Sequence, residues 1–417
     1  MIVLNPPVVE KNRVHYSWSP NAGFKQSGFW VEYPDLEKIQ ASPGKLAEAY
    51  FPVCLGLAAT GDVRIQLPVR LDEQVLKNWT RVIETASSKL FLRKNFIQFE
   101  TAGPAPDYSE GPYPETALFF GGGTESLLTL ARLRQEGVSP WLVSLGGPDW
   151  LGSDPEKNPD KFNMDEKIAG DMGLRLLRIR TNFKEAANSP LWPPYLKPGV
   201  SMVNACLFMP FFLSFLMPVC EQLHIGRLVN GNEKMNFPDE YFCFSPPMTS
   251  RMAHIAQGVS YESHLSDILK ERVCEELYRK HLGYAFYQYS CWRNQGKRWC
   301  YGCESCLEYF MLAKHNGLPV ETIGMDEAEI RKNMRALISE VSKSSEGRVG
   351  EIWERLCKYR DLRRDPYLRG VLDQIRRGCF AYHGFYKYLP YPWRRFLSLR
   401  RFMNLKLKSS SGIVASK

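Results

Sequence analysis

The chain of 417 residues lacks an uninterrupted apolar run of the length a membrane helix needs. Its longest, residues 203–220, is interrupted by Asn204, Pro210, Ser214 and Pro218 and reaches only the lower limit of a span, so a buried or proline-broken helix is expected there. The start lacks the basic stretch, apolar core and small-residue cleavage site of a secretory signal, which leads to the expectation of a cytoplasmic protein. An even set of cysteines is also missing. Of the eleven, Cys54, Cys206, Cys220, Cys243, Cys274, Cys357 and Cys379 stand singly in mostly apolar sequence and read as small buried hydrophobes in a reducing compartment. There is no internal repeat. Acid is absent from residues 381–417, which carry eight Lys/Arg and no Asp or Glu.

What is present suffices for a full core: 44% of the residues are hydrophobic, and the length predicts two or three units. The net charge of +9 is unevenly placed. Residues 341–417 hold eighteen Lys/Arg against six Asp/Glu, which leaves the preceding chain slightly acidic. Within that tail, residues 391–403 set paired arginines beside aromatic and aliphatic residues, the pattern of an interfacial helix. An anionic membrane surface, at the inner membrane face, or a protein partner would suit it; a helix docked on its own domain accounts for the same pattern. Nucleic acid is disfavoured, because the rest of the chain offers no continuous basic face.

Along the chain, residues 1–112 alternate short β-rich runs (13–18, 28–33, 63–67) with a helical pattern at 73–88, which predicts a small α+β N-terminal domain. A loop rich in Pro, Gly and acid, 102–114, marks the boundary. From 113 to 325, strands at 116–120, 141–145, 175–179 and 226–229 alternate with helical patterns and predict an α/β domain with a Rossmann-like parallel sheet. Residues 326–417 read as a helical, basic C-terminal extension, with helices at 326–342, 348–359 and 366–377.

Two motifs carry chemistry. Cys291, Cys300, Cys303 and Cys306 follow a Cys-x8-Cys-x2-Cys-x2-Cys spacing that suits the tetrahedral sulfur shell of a structural Zn2+. A redox or iron–sulfur role and unliganded thiols are the alternatives. The second is Gly121-Gly122-Gly123-Thr124-Glu125-Ser126, placed between a strand and a helix. Glycines there let the backbone approach a phosphate, and the helix aims free N–H groups and its positive dipole end at the anion. The loop lacks the Gly-Lys-Ser/Thr ending of a Walker motif. A purely structural turn is the plain alternative.

Taken together in this order, the motifs resemble the PP-loop ATP pyrophosphatases. The cysteine cluster is similar to that of the 7-cyano-7-deazaguanine synthase branch, and the chain more closely resembles the family of the ATP-dependent UDP-N-acetylmuramoyl-L-alanyl-L-glutamate epimerase. Residues 120–132, 228–233 and 289–313 carry the resemblance. It implies an adenine nucleotide alpha hydrolase-like fold that cleaves ATP to AMP and pyrophosphate with Mg2+, activating the carboxylate of a small molecule, which in the epimerase is nucleotide-linked. By position, Gly121, Gly122, Gly123, Thr124 and Ser126 would hold phosphate, and Asn232 would lie beside the substrate. Glu125 and Glu233 would be catalytic carboxylates. His264 is a further acid/base candidate because imidazole titrates near neutrality.

Two departures stand out. The family's loop usually reads Gly-Gly-Gly-Lys-Asp-Ser, whereas this chain has Thr124 and Glu125; a second family lysine is absent near 257–267. Arg251 and Lys234 are the nearby cations that could replace them, with solvated charge as their default. The expected function is therefore adenylation of a carboxylate, with epimerisation of a UDP-MurNAc-dipeptide-like substrate as its specific form. Deazapurine-like amide or nitrile formation, and a non-catalytic nucleotide- or partner-binding descendant, are the alternatives.

Overall fold

The computed structural model describes residues 1–20, 23–101, 113–146, 159–187, 195–197, 208–234, 246–290, 298–334, 336–337 and 359–374. Cys291, the loop at 102–112, the start of the 203–220 run, Cys206, Cys243, Cys357, Cys379, residues 348–358 and the basic tail 381–417 lie outside them. The chain divides into two compact units, Met1–Arg331 and Lys332–Lys417.

Among the described residues, the first unit has eleven strands: β1 (Ile2–Leu4), β2 (Val8–Glu10), β3 (Arg13–Ser19), β4 (Gly28–Glu32), β5 (Val63–Leu67), β6 (Ile97–Thr101), β7 (Glu115–Phe119), β8 (Trp141–Gly146), β9 (Leu176–Thr181), β10 (Ile225–Asn230) and β11 (Ser260–Ser263). They form one sheet in the order β11-β10-β7-β8-β9-β4-β3-β1-β5-β6, with β2 paired to β3. From β11 to β9 every pairing is parallel. Residues of β7 and β8 are buried almost without a break, as strands covered on both faces must be. This is an α/β fold with a Rossmann-like parallel sheet.

The N-terminal strands continue that sheet. β4 pairs antiparallel with β9 through Val31 opposite Thr181 and Glu32 opposite Arg180, so the segment read from sequence as a small α+β domain is joined to the parallel sheet by main-chain pairing. β3 shows why its register holds: Val14, Tyr16 and Trp18 are buried while Ser17 and Ser19 are exposed, and a slip of one residue would turn all three to solvent. The helix Glu73–Leu90 starts where the Asp72 carboxylate accepts from the N–H groups of Gln74 and Val75. It buries Val75, Trp79, Val82, Ile83, Ala86 and Leu90, the three-to-four spacing of one helix face.

The apolar run at 203–220 supplies the helix Phe208–Cys220, with Pro218 inside it. Phe215 packs with Phe29 and Phe183 at ring-centroid separations of 5.8 Å each. That makes it a core helix. Among the described residues, no helix is long and apolar enough to cross a membrane. Cys54, Cys220 and Cys274 are fully buried, as expected of singly placed cysteines.

In the second unit, Leu362–Arg364 form a single 3-10 turn and residues 366–374 are helical.

Candidate functional site

Chain order places β8 and then β9 on one side of β7, and β10 and then β11 on the other. The strand order therefore reverses between β7 and β10, and the crevice at the carboxyl ends of the strands there is where open α/β sheets bind ligands. The glycine loop leaves β7 at that point. Gly122 has φ +67°, a left-handed conformation that side chains disfavour, and its carbonyl accepts from the Tyr289 N–H at 2.6 Å. Gly123 then caps the helix Thr124–Gln135 with extended backbone and, as a glycine, supplies no capping side chain. The positive dipole end of the helix therefore starts at the loop, where a bound anion would be favoured.

The tight fit of β10 against this helix depends on Gly231. A Cβ there would lie 2.6 Å from the Glu125 carbonyl oxygen and 2.6 Å from Thr129 Oγ1. Backbone is what it would strike, so the helix or the strand end must move. Gly231→Ala is expected to destabilise the protein by about 1–3 kcal/mol through overpacking and to weaken any ligand held between loop and strand end. Equal denaturation midpoints for the variant and the native chain would contradict this contact.

Side chains around the loop fall into two groups. Glu125, in the first turn of the loop helix, and Glu233, just past β10, both reach Lys270, at 2.7 Å and 3.7 Å from its Nζ. Lys270 begins the helix Lys270–Lys280 and is 7% exposed; Glu233 is 5% exposed. The Tyr309 ring centroid lies 5.0 Å from the same ammonium. Burial alone would pull the Lys270 ammonium down, but the charges of Glu125, Glu233 and Glu308 and the nearby Tyr309 outweigh it and hold its pKa well above the ordinary lysine value. On the other side of the loop, Asp165 is buried and accepts from the Ser144 hydroxyl at 2.7 Å, with its other carboxylate oxygen 3.8 Å from where a Gly122 Cβ would stand.

The structure brings Gly121, Gly122, Gly123, Glu125, Ser126 and Glu233 into one neighbourhood, with Asn232 beside Glu233. Ser126 donates to the Gly123 carbonyl at 3.1 Å, and the Asn232 carbonyl accepts from Ser263 at 3.3 Å. Thr124 points elsewhere. Its side chain is fully buried, with Oγ1 3.4 Å from the Tyr309 hydroxyl, so only its backbone faces the loop. His264 is engaged by Glu262 at 3.0 Å and by Arg227 at 3.3 Å. The Glu262 carboxyl is drawn below its ordinary range chiefly by that hydrogen bond to His264, with Arg227 adding to it against burial. Arg251 bonds Thr85 on the helix Glu73–Leu90, and Lys234 is exposed.

Sequence reading missed Lys270 and Asp165. Lys270 stands 145 residues from Glu125 in a charged helix, where nothing local distinguishes it from a solvated lysine. Asp165 lies within the predicted α/β region, but its pairing with Ser144 needs the β8 crossover to be formed.

The cysteine cluster lies next to this neighbourhood. The Sγ atoms of Cys300, Cys303 and Cys306 all lie within 4.8 Å of one another, with Cys306 3.8 Å from Cys300 and 3.5 Å from Cys303. Tyr301, between the first two, takes a positive φ of 55°, and the Gly302 N–H points at Cys300 Sγ at 3.4 Å. Cys303 is the N-cap residue of the helix Glu304–His315 and Cys306 lies in its first turn. Three sulfurs so placed can share one metal ion. The knuckle is pinned from behind: Arg298 donates to the carbonyls of Gln288 and Phe286, and burial lowers its pKa to about 10. Trp299 donates to the Ile323 carbonyl at 2.8 Å.

No protein-family model matches the chain, and no curated protein matches it by sequence. Among solved structures, the chain is similar to the U34-tRNA thiolase NcsA from Methanococcus maripaludis with its [4Fe-4S] cluster. The identity is 13% over 67% of this chain and 88% of that one, with a TM-score of 0.26. A likeness of that size says nothing about the chemistry of this chain.

Proposed function

We propose that the chain binds a nucleoside triphosphate at Gly121, Gly122 and Gly123 and transfers its adenylyl group to a substrate carboxylate, releasing pyrophosphate. The observation that carries this reading is Lys270. The loop lacks a lysine of its own at residue 124, yet the fold delivers a buried, fully charged ammonium to the first turn of the loop helix, 2.7 Å from Glu125. The ammonium partly neutralises Glu125 and Glu233 beside the start of the loop helix, so a phosphate chain seated there with Mg2+ would meet less uncompensated negative charge, the electrostatic contribution a phosphate site most needs.

Carboxylates of the kind Mg2+ prefers surround the loop in Glu125, Glu233 and Asp165. The ion would supply further neutralisation of the phosphates. Glu125 and Glu233 hold Lys270 in position, and His264, committed to Glu262 and Arg227, takes no part in this proposal. For the cysteine cluster the proposed ion is Zn2+. A tetrahedral ion with sulfurs at about 2.3 Å sets neighbouring sulfurs about 3.8 Å apart, which the separations of 3.5 and 3.8 Å support. In a four-iron cluster each cysteine binds a different iron, and the sulfurs would stand further apart.

The finer substrate proposal remains a small carboxylic acid, with the terminal glutamate of a nucleotide-linked sugar peptide as its specific form. One observation favours a second reading, a protein that binds nucleotide without turning it over: residue 124 is a threonine whose side chain is buried in the core against Tyr309 and offers phosphates no cation. Calorimetric titration with ATP, with and without Mg2+, followed by assay of AMP and pyrophosphate across a panel of carboxylic acids, separates the two. Magnesium-dependent binding with AMP formation is the expected result. Binding without products favours the second reading, and no binding overturns both.

A further inference from the structure

We propose that metal occupancy at Cys300, Cys303 and Cys306 and phosphate-ligand binding at the glycine loop are coupled through Tyr309, so that each strengthens the other. This deepens the nucleotide-binding reading above and rests on it. The link is one helix, Glu304–His315. Cys303 caps it and Cys306 lies in its first turn. Tyr309 follows Cys306 by three residues and so emerges on the same side of the helix.

From there the side chain spans the distance to the loop. The Tyr309 hydroxyl lies 3.4 Å from Oγ1 of Thr124, the first residue of the loop helix, and its ring flanks the Lys270 ammonium with the centroid at 5.0 Å. The ring also packs on Trp299, immediately before Cys300, with centroids 5.8 Å apart. Tyr309 is 3% exposed and Trp299 1%. Every connection in this chain of contacts is therefore buried, and a close-packed interior passes on a displacement because it has no free volume to absorb one.

An ion shared by the three sulfurs draws the knuckle and the first helical turn together. That sets the position of Tyr309, and Tyr309 sets both the aromatic wall beside Lys270 and the start of the loop helix. With the ion removed, the sulfurs are released from one another and the first turn of the helix loses its anchor. Coupling of this kind is reciprocal: whatever the metal adds to phosphate affinity, the phosphate ligand adds to metal affinity. The substitution of threonine for lysine at residue 124 also acquires a sense, since a short buried hydroxyl is what lets Tyr309 reach the loop helix.

The test uses the full-length, metal-loaded chain with pyrophosphate and ATP as probes. Chelator-stripped protein is expected to bind pyrophosphate at least about fivefold more weakly than loaded protein, with circular dichroism confirming that it remains folded. Where stripping unfolds the chain, metal affinity is measured by competition with a chromogenic chelator, with and without pyrophosphate, and the same factor is expected. Tyr309→Leu should reduce that factor to near unity while the variant still binds the metal; Tyr309→Phe, which keeps the ring, should retain most of it. Equal phosphate affinity with and without metal, or undiminished coupling in Tyr309→Leu, overturns the proposal. If the loaded native chain binds neither probe, the nucleotide reading itself fails; if it binds both and is indifferent to metal, only the coupling fails.

Discussion

Replacing Lys270 by methionine is expected to lower the unfolding free energy by about 3–5 kcal/mol, the range for breaking a buried ion pair from one side, and to abolish nucleotide binding. The loss has a definite origin. Glu125 and Glu233 converge on this one ammonium, with side-chain exposures of 19% and 6%, and methionine fills the space without satisfying either charge. The deficit therefore lies in these two stranded carboxylates. Removing one of those charges as well should recover part of it. A double-mutant cycle of Lys270→Met with Glu125→Gln is expected to show an interaction of about 0.5–3 kcal/mol, as directly contacting residues do. Chemical denaturation of the four proteins, with calorimetric ATP titration of each, measures both effects. A fully stable Lys270→Met protein that still binds ATP would remove the central cation from the proposed site.

The second large effect concerns the knuckle. The Cys306 sulfur lies 3.8 Å from that of Cys300 and 3.5 Å from that of Cys303. Cys306→Ala should lose the bound metal, and with it several kcal/mol of stability. For a unit of this size that corresponds to a fall in melting temperature on the order of 10 °C. Chelation of the native protein should produce a similar fall, and the variant should be insensitive to chelator. Elemental analysis beside calorimetry decides the matter. Zinc retained by Cys306→Ala would exclude Cys306 as a ligand, and iron with inorganic sulfide in the native protein would replace the zinc assignment with a cluster.

Strand-forming runs at 13–18, 63–67, 141–145 and 226–229 were legible because alternation and apolar clustering are local properties, and β3, β5, β8 and β10 lie on them. The glycine loop was legible for the same reason: a strand, three glycines and an amphipathic helix are contiguous, and a left-handed Gly122 is a local requirement. Cys300, Cys303 and Cys306 could be grouped because seven residues and two tight turns suffice to bring their sulfurs together. Where local pattern was an insufficient guide, the missing term was contact between distant segments. Thr124 reads as a loop residue next to glycines, yet Tyr309, far along the chain, offers its hydroxyl a buried partner. His264 reads as a free imidazole near the strand ends until the parallel pairing of β10 with β11 sets Arg227 and Glu262 beside it.

By itself, then, the amino-acid sequence determined the α/β class, the loop after β7 and the closely spaced thiols, since each depends on residues within a few positions of one another. Only the tertiary structure decided that β4 extends the parallel sheet through β9, that the order reverses between β7 and β10 beside the glycine loop, and that Lys270 meets Glu125 and Glu233. Those outcomes depend on which strands pair and which buried charges meet, and both are settled by packing and desolvation across the whole unit, which no local pattern of residues encodes.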